Sequence, residues 1–408
     1  MCLFYSVLKP GLSQKTFASL ALASKQFLPL ARSHLYYRPI FNSSGLSWDK
    51  ALALVSSLST LGHLVVSLEG IVNFVSRIGK LDDPSTSLPF QLRGFTKTFS
   101  LYYKILNSCT NLVSVELIFN SKQHLSKLLK ALESSSSDLK SVKFKNSTIS
   151  PHYRLTTELV CSALNRKELR GIEKLGVEGV KSIDESAPLT AQALRSFSYK
   201  QPYGLFSAST ILFPINATSL TSFEIELFTI EQQNLDWLFN YLPSTIQHVS
   251  IAAVSRNYDD EWMPGIANYE IPIVCSVPLS AISRFTFLQR LSLKGFDGPS
   301  LAHLEALATV SPYLTLLDFH NSRWIRPSTS TANPVRNGPS ISFLADPDDL
   351  LLQLKKFKKL QYVDLGILPT SEREIYQNLE DEMKAKQVEV KWKVCARYPV
   401  CPHCGERH

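Results

Sequence analysis

LQRLSLKGFDGPSLAHLEALATVSPYLTLLDF, residues Leu288–Phe319, carries one short pattern twice with a helix-like stretch between the copies. The pattern is apolar, two residues, apolar, one residue, apolar: Leu288, Leu291, Leu293, then Leu314, Leu317, Phe319. In an extended chain the second and third positions point to one face, and the first lies in the turn leading in. Between the copies, Leu301, Leu304 and Leu307 recur at helical spacing, and Ser311–Pro312 ends the helix. Leu288 and Leu314 stand 26 residues apart.

The same triplet recurs on both sides of this stretch. Towards the N-terminus it reads Leu61, Leu64, Val66; Leu112, Val115, Leu117; Leu139, Val142, Phe144; and Ile172, Leu175, Val177. In the middle it reads Leu194, Phe197, Tyr199; Leu220, Phe223, Ile225; and Ile246, Val249, Ile251, with Leu360, Val363, Leu365 as the last copy. One triplet arises easily by chance. The spacing does not, since Leu194–Leu220 and Leu220–Ile246 are again 26 residues and Leu112–Leu139 is 27. Asn120–Glu133 and Glu231–Tyr241 read as further helices between triplets, with Leu125, Leu128, Leu129, Leu132 and Leu235, Leu238, Phe239, Leu242 on one face. A helix–turn–strand unit of this kind cannot bury its apolar side alone and must stack on its neighbours. Two intervals exceed one unit, Arg256–Pro278 and Ser322–Asp349, and read as inserted loops.

Composition agrees with a folded chain of this length. Of 408 residues, 44% are hydrophobic and 19% charged, which excludes global disorder. The net charge of +8 is diluted over the chain, so nucleic-acid binding is not expected, and the Lys355, Lys356, Lys358, Lys359 run reads as a solvated helix face, with a basic patch for an acidic partner as the alternative. Seven cysteines, an odd number, with Cys2, Cys109, Cys161 and Cys275 isolated, do not form a disulfide framework and indicate a reducing compartment. No apolar run is long enough for a membrane-spanning helix. The expected location is cytoplasmic or nuclear. The acid-free, serine-rich stretch Met1–Trp48 keeps a mitochondrial presequence open as a lesser alternative.

At the level of these residues the chain resembles a leucine-rich-repeat protein from about Leu61 to Ile367. The resemblance implies an α/β solenoid, a curved parallel sheet with outer helices. The Asn or Cys that the family places five residues after the second apolar position occurs in the clear repeats only as Asn120, so irregular turns are expected. Upstream, Thr16–Phe41 (TFASLALASKQFLPLARSHLYYRPIF) reads as two short helices broken near Pro29. It is similar to the second half of an F-box, through Leu20, Leu22, Ala23, Ser24, Lys25, Phe27, Ala31, Arg32, Leu35 and Tyr36. The family's opening Leu-Pro-x-Glu helix has no counterpart in Met1–Ser13. The resemblance implies docking on a Skp-type adaptor of a cullin ubiquitin ligase through Leu20, Leu22, Phe27, Leu30 and Leu35, with the repeats holding a target protein. The alternative is an N-terminal cap on a stand-alone scaffold. The domains so read are a truncated F-box-like segment at 1–45, a solenoid at 46–370, and a helix, strand and Cys-rich tail at 371–408.

The tail VCARYPVCPHCGERH offers Cys395, Cys401, Cys404 and His408 as a tetrahedral zinc set, with His403 in reserve. A single knuckle leaves free thiols as the alternative, and no other cofactor is expected. No GxSxG, HExxH or GxxxxGK[ST] pattern occurs, and the nine histidines are scattered, so the expectation is a non-enzymatic protein. His63, His248 and His320 read as structural histidines in or beside strands. His124 and His303 show no carboxylate or cysteine partner by spacing.

Overall fold

The repeat spacing becomes hydrogen-bond register. In the computed structural model, the backbone carbonyl just before one strand accepts two successive N–H groups from the start of the next. Val113 O accepts from Lys140 and Ser141, Thr221 O from Gln247 and His248, Gln289 O from Thr315 and Leu316, and Thr315 O from Gln361 and Tyr362. Each step moves the chain one strand over at a fixed phase, so equivalent triplet positions fall side by side. The structure describes residues 19, 25–26, 28–37, 48–68, 90–135, 138–146, 157–164, 166, 169–179, 189–190, 192–200, 215–216, 218–227, 238–240, 242–253, 282–295, 300–320, 322, 347–368 and 373–394. They form two units, Met1–Leu155 with Leu159–Glu178, and Thr156–Glu158 with Gly179–His408.

The first unit begins with helices α1 (Leu28–Tyr37) and α2 (Trp48–Leu61), followed by strand β1 (Ser67–Leu68). Then come α3 (Phe90–Ser108), β2 (Ser114–Phe119), α4 (Lys122–Ser135), β3 (Ser141–Asn146), α5 (Thr157–Leu164) and β4 (Lys174–Glu178). All four strands pair in parallel in that order. Helix α4 shows why the sequence reads as it does. Leu125, Leu128, Leu129 and Leu132 are buried together, and the Ser121 hydroxyl accepts the His124 N–H at 3.2 Å as the N-cap. Gly62 follows α2 where an added Cβ would collide with the Ser108 carbonyl oxygen, so the chain passes the end of α3 only without a side chain.

Two expectations change here. The first triplet is out of phase: Leu68 pairs with Val115, and the buried positions are Val65 and Leu68 rather than Leu64 and Val66. Leu61 ends α2 and Leu64 lies in a 3-10 turn, so their apolar character belongs to the helical side of the unit. Pro29 does not break a helix but sits in the first turn of α1, where its missing N–H costs no hydrogen bond. The described turn at 25–26 lies upstream of it.

The second unit carries β5 (Leu189–Thr190), β6 (Ser196–Lys200), β7 (Ile215–Asn216), β8 (Ser222–Leu227), β9 (His248–Ala253) and β10 (Arg290–Lys294). It continues through α6 (Leu301–Val310), β11 (Leu316–Asp318), α7 (Pro347–Lys355), β12 (Tyr362–Leu368), α8 (Arg373–Ala385) and β13 (Glu389–Val394). Strands β6, β8, β9, β10, β11, β12 and β13 pair in parallel in that order, while β5 and β7 form a separate two-stranded ladder. Leu291, Leu317, Val363 and their third-position partners Leu293, Phe319 and Leu365 are all buried. Helix α8 and β13, read from sequence as a separate C-terminal piece, add one more helix–strand step, because β13 pairs with β12.

Of the predicted helix at Glu231–Tyr241, the described residues 238–240 are helical. The Arg284 guanidinium donates to the Asn240 and Leu242 carbonyls at 2.6 and 2.8 Å, closing that helix end from 42 or more residues away. The second expected insertion narrows on both sides. Ser322 is fully buried, and Pro347, Asp348 and Asp349 open α7, where proline and two acids suit a helix start. Residues 254–281 and 323–346, which hold most of both insertions, lie outside the described residues.

Turns after the strands differ from the Asn-based pattern. Ser322 stands where the family places Asn, and its hydroxyl donates to the Leu293 carbonyl of the preceding strand at 2.7 Å. Gly295 (φ 75) and Gly366 (φ 79) supply left-handed backbone at the ends of β10 and in β12.

Candidate functional site

The alternation that buries Leu291 and Leu293 turns Ser292 to the opposite face of the sheet. Register then aligns one polar row across the second unit: Ser198, Glu224, Ser250, Ser292, Asp318, Asp364 and Lys391. In the first unit the corresponding row is Glu116, Lys143 and Gly176. Glu224 is exposed, but the other acids of these rows are not simply solvated. Glu116, Asp318 and Asp364 are buried, at 5%, 9% and 5% exposure, so each must be matched by donors.

In the second unit the donors come from a neighbouring repeat and from the backbone two residues on. Asp318 accepts from the Ser292 hydroxyl at 3.0 Å, the Lys294 ammonium at 3.2 Å and the His320 backbone N–H at 2.9 Å. Asp364 accepts the Gly366 N–H at 2.8 Å and faces His320 Nδ1 at 3.0 Å. The two aspartates play the same part in successive units, each accepting the backbone N–H two residues on. His320 is oriented through Nδ1 and keeps a third of its side chain exposed. Next to it, Lys391 pairs with Glu389 at 2.9 Å and lies over the Tyr362 ring at 5.2 Å. Burial, then the Asp364 charge, raises the Tyr362 hydroxyl above its ordinary range, so it stays a neutral donor.

In the first unit, Lys143 sits between Glu116 at 3.4 Å and Glu178 at 2.8 Å, and Lys145 meets Glu178 at 2.9 Å. Burial works against the Glu178 carboxylate, but hydrogen bonds and charge from Lys143 and Lys145 outweigh it and hold its pKa below the usual value. Burial likewise opposes the Lys143 charge and is outweighed by Glu178 and Glu116, so its pKa is raised. Glu178 contributes above the ordinary carboxylate pKa and loses that contribution as pH falls through its lowered folded value. Lys143 contributes below the ordinary lysine pKa and loses it only at higher, strongly alkaline pH. Glu178→Gln is therefore expected to cost at most about 1 kcal/mol at pH 7, since the network is partly exposed. The gap between variant and parent in thermal unfolding is expected to close as pH falls below the carboxylate range. A gap that stays constant down to pH 3 would contradict the network.

These groups make a preorganised polar surface with fixed donors and acceptors. Burial pushes the Cys109 thiol up to about 12, which keeps it an unreactive core residue. Ser300 Oγ lies 2.6 Å from His303 Nδ1 at the start of α6, a side-chain contact inside the first helical turn. The His303 partner invisible from spacing is thus a hydroxyl. His124 stacks on Phe99 at 4.0 Å, and burial lowers its pKa. Sequence reasoning missed the His320–Asp364 pair, whose members are 44 residues apart. A usable signal was present, because Asp318 and Asp364 each follow the second triplet position directly.

The residues singled out for adaptor docking and zinc fall differently. Leu30 and Leu35 lie on α1, while Leu20, Leu22 and Phe27 are outside the described residues. Cys395, Cys401, Cys404 and His408 are outside them as well, and among the described residues no cluster could hold a metal ion. Of the lysine run, only Lys355 ends a helix, pairing with Glu382 at 2.7 Å. Lys356, Lys358 and Lys359 lie in the turn that follows. No helix among the described residues is long and apolar enough to cross a membrane.

No family model matches the chain, and no curated protein is similar to it. A solved protein structure from Bacteroides fragilis aligns with 71% of this chain and 68% of its own, at 9% identity and a TM-score of 0.35. So low a score carries no argument about function.

Proposed function

We propose that this chain is a non-enzymatic, leucine-rich-repeat-like adaptor that holds a target protein on its repeats and serves as the recognition subunit of a Skp–cullin–F-box type ubiquitin ligase. The observation that carries the binding half is the polar row on the sheet, where buried Asp318 and Asp364 hold Ser292, Lys294 and His320 in place rather than leaving them mobile. Preorganised groups lose less entropy on binding, which suits recognition. The ligase half rests on the F-box-like residues of Thr16–Phe41. An adaptor of this kind works by raising the effective concentration of its target at the transfer site.

A second reading, a stand-alone scaffold with an N-terminal cap, is favoured by how α1 ends. The Tyr37 carbonyl accepts the Val66 N–H at 3.0 Å, the Tyr36 hydroxyl donates to Ser57 at 3.3 Å, and Ala31 is buried. These contacts tie α1 to the first repeat, as a solenoid cap requires. A cap and a docking helix are compatible if different faces serve the two roles.

Pull-down of a purified Skp adaptor separates the readings. The full chain is expected to recover it, and Leu20→Asp combined with Phe27→Asp to lose it while circular dichroism stays unchanged. Recovery by neither protein leaves the scaffold reading.

A further inference from the structure

In the second unit, the two residues that precede the first position of each repeat are exposed on every strand from β8 to β13. They form a rim along the edge where the strands begin. Its composition changes in one direction. At 218–219 and 244–245 it is serine and threonine, before β10 and β11 it is Thr286, Phe287, Pro312 and Tyr313, and before β12 and β13 it is Lys358, Lys359, Ala385 and Lys386. None of these twelve positions is acidic.

Phe287 and Tyr313 are 51% and 46% exposed, two of the four large apolar side chains so exposed among the described residues. They occupy the same position in adjacent repeats, so they stand one strand apart. Exposed aromatic groups held side by side on a rigid edge mark an interaction site more often than isolated ones do. Lys359 Nζ lies 4.5 Å from the Tyr313 ring centroid and joins the aromatic block to the basic one. Lys355 and Lys356 are engaged by Glu382 and Glu305, which leaves Lys358, Lys359 and Lys386 as the cations of the rim itself. Glu382, on α8, also faces Lys386, and its pKa is held low chiefly by the Lys355 hydrogen bond.

We infer that this rim is a docking edge for an acidic polypeptide segment whose apolar residues precede or follow its acids as a block. Charge complementarity sets the sign of the partner, since three lysines without an acid on the rim attract a carboxylate-rich chain. The order of the blocks sets its class. A single-stranded nucleic acid alternates base and phosphate at every nucleotide and is matched by interleaved aromatic and basic residues. Here the aromatic positions lie before β10 and β11 and the basic ones before β12 and β13, so a segregated ligand fits better.

This deepens the protein-binding reading but not its ligase half, and the two fail separately, because adaptor recovery depends on Leu20 and Phe27. The test is fluorescence anisotropy of the full chain with a labelled synthetic peptide in which a Leu-Phe-Pro block is followed by six alternating Asp and Glu residues. Comparison probes are the same composition with apolar and acidic residues interleaved, and a twelve-uridine RNA. Lys358→Glu with Lys359→Glu, and separately Phe287→Ser with Tyr313→Ser, are each expected to weaken binding of the block peptide tenfold or more. Lys130→Glu, an exposed lysine of the other unit, is expected to leave it unchanged. All four rim side chains are exposed, so the melting curves of both double variants should match the parent. The inference is overturned if the block peptide does not bind, if it binds both rim variants like the parent, or if the interleaved peptide or the RNA binds more tightly.

Discussion

Gly366→Ala is expected to destabilise the second unit by more than ~2 kcal/mol. Two effects combine at this position. Gly366 sits at φ +79, which side chains with a Cβ rarely adopt, and an added Cβ would lie 2.5 Å from both the Phe319 and Ser322 carbonyl oxygens. Both obstacles are backbone, so no rotamer change relieves them. The strand register between β12 and β13 shifts between Asp364 and Ile367, and Gly366 lies inside that irregularity. Its N–H also donates to Asp364, so moving it disturbs the carboxylate that orients His320. Urea unfolding followed by circular dichroism measures the loss. The control is Gly171→Ala in the first unit, where an added Cβ meets nothing within 4 Å and a change below about 0.5 kcal/mol is expected. Equal effects at both glycines would mean that β12 does not run as described.

Leu317→Ala is expected to cost about 3–4 kcal/mol, within the range for a leucine deleted from a close-packed core. Leu317 is fully buried at the second triplet position of β11, between Leu291 of β10 and Val363 of β12. Its neighbour Leu316 faces the other side of the sheet and is only half-buried, so Leu316→Ala is expected to cost less than about 1 kcal/mol. Two adjacent leucines with identical local propensity thus differ several-fold through register alone. Similar losses at both would indicate that the two leucines are equally packed, contrary to a register that buries Leu317 fully and leaves Leu316 half-exposed.

Much of the fold is legible in the sequence because register and periodicity are local. Triplets such as Leu314, Leu317, Phe319 repeat at a step set by one helix, one turn and one strand, and each copy can be recognised without its neighbours. The first triplet misled for a physical reason. Leu61 and Leu64 are apolar because they close a helix and a 3-10 turn, and Val65 with Leu68 carries the strand phase. The lysine run misled in a related way, since only Lys355 is helical and Lys359 sits where Tyr313 and Phe287 stand in earlier repeats.

The polar site was less legible because it is assembled across strands. Asp364 needs to be placed beside His320, and Asp318 beside Ser292, which are 44 and 26 residues away. The Ser292–Asp318 pair is one 26-residue repeat step apart, but no spacing rule gives the Asp364–His320 pairing, because the second insertion intervenes. Only the repeated placement of an aspartate after the second triplet position betrayed it.

The fold and the proposed binding surfaces require strands separated by inserted segments to lie side by side in a fixed register. Ser250→Cys with Ser292→Cys tests this directly, since these residues are register partners on β9 and β10 although 42 positions apart, with the first insertion between them. Parallel neighbours at this spacing fall within disulfide reach. Mild oxidation followed by mass mapping is expected to show a disulfide joining the two introduced thiols in the folded chain. Little or none is expected for Ser250→Cys with Arg290→Cys, one step out of register on the same face. A crosslink favouring the shifted pair, or none in either, would contradict the stacked repeat.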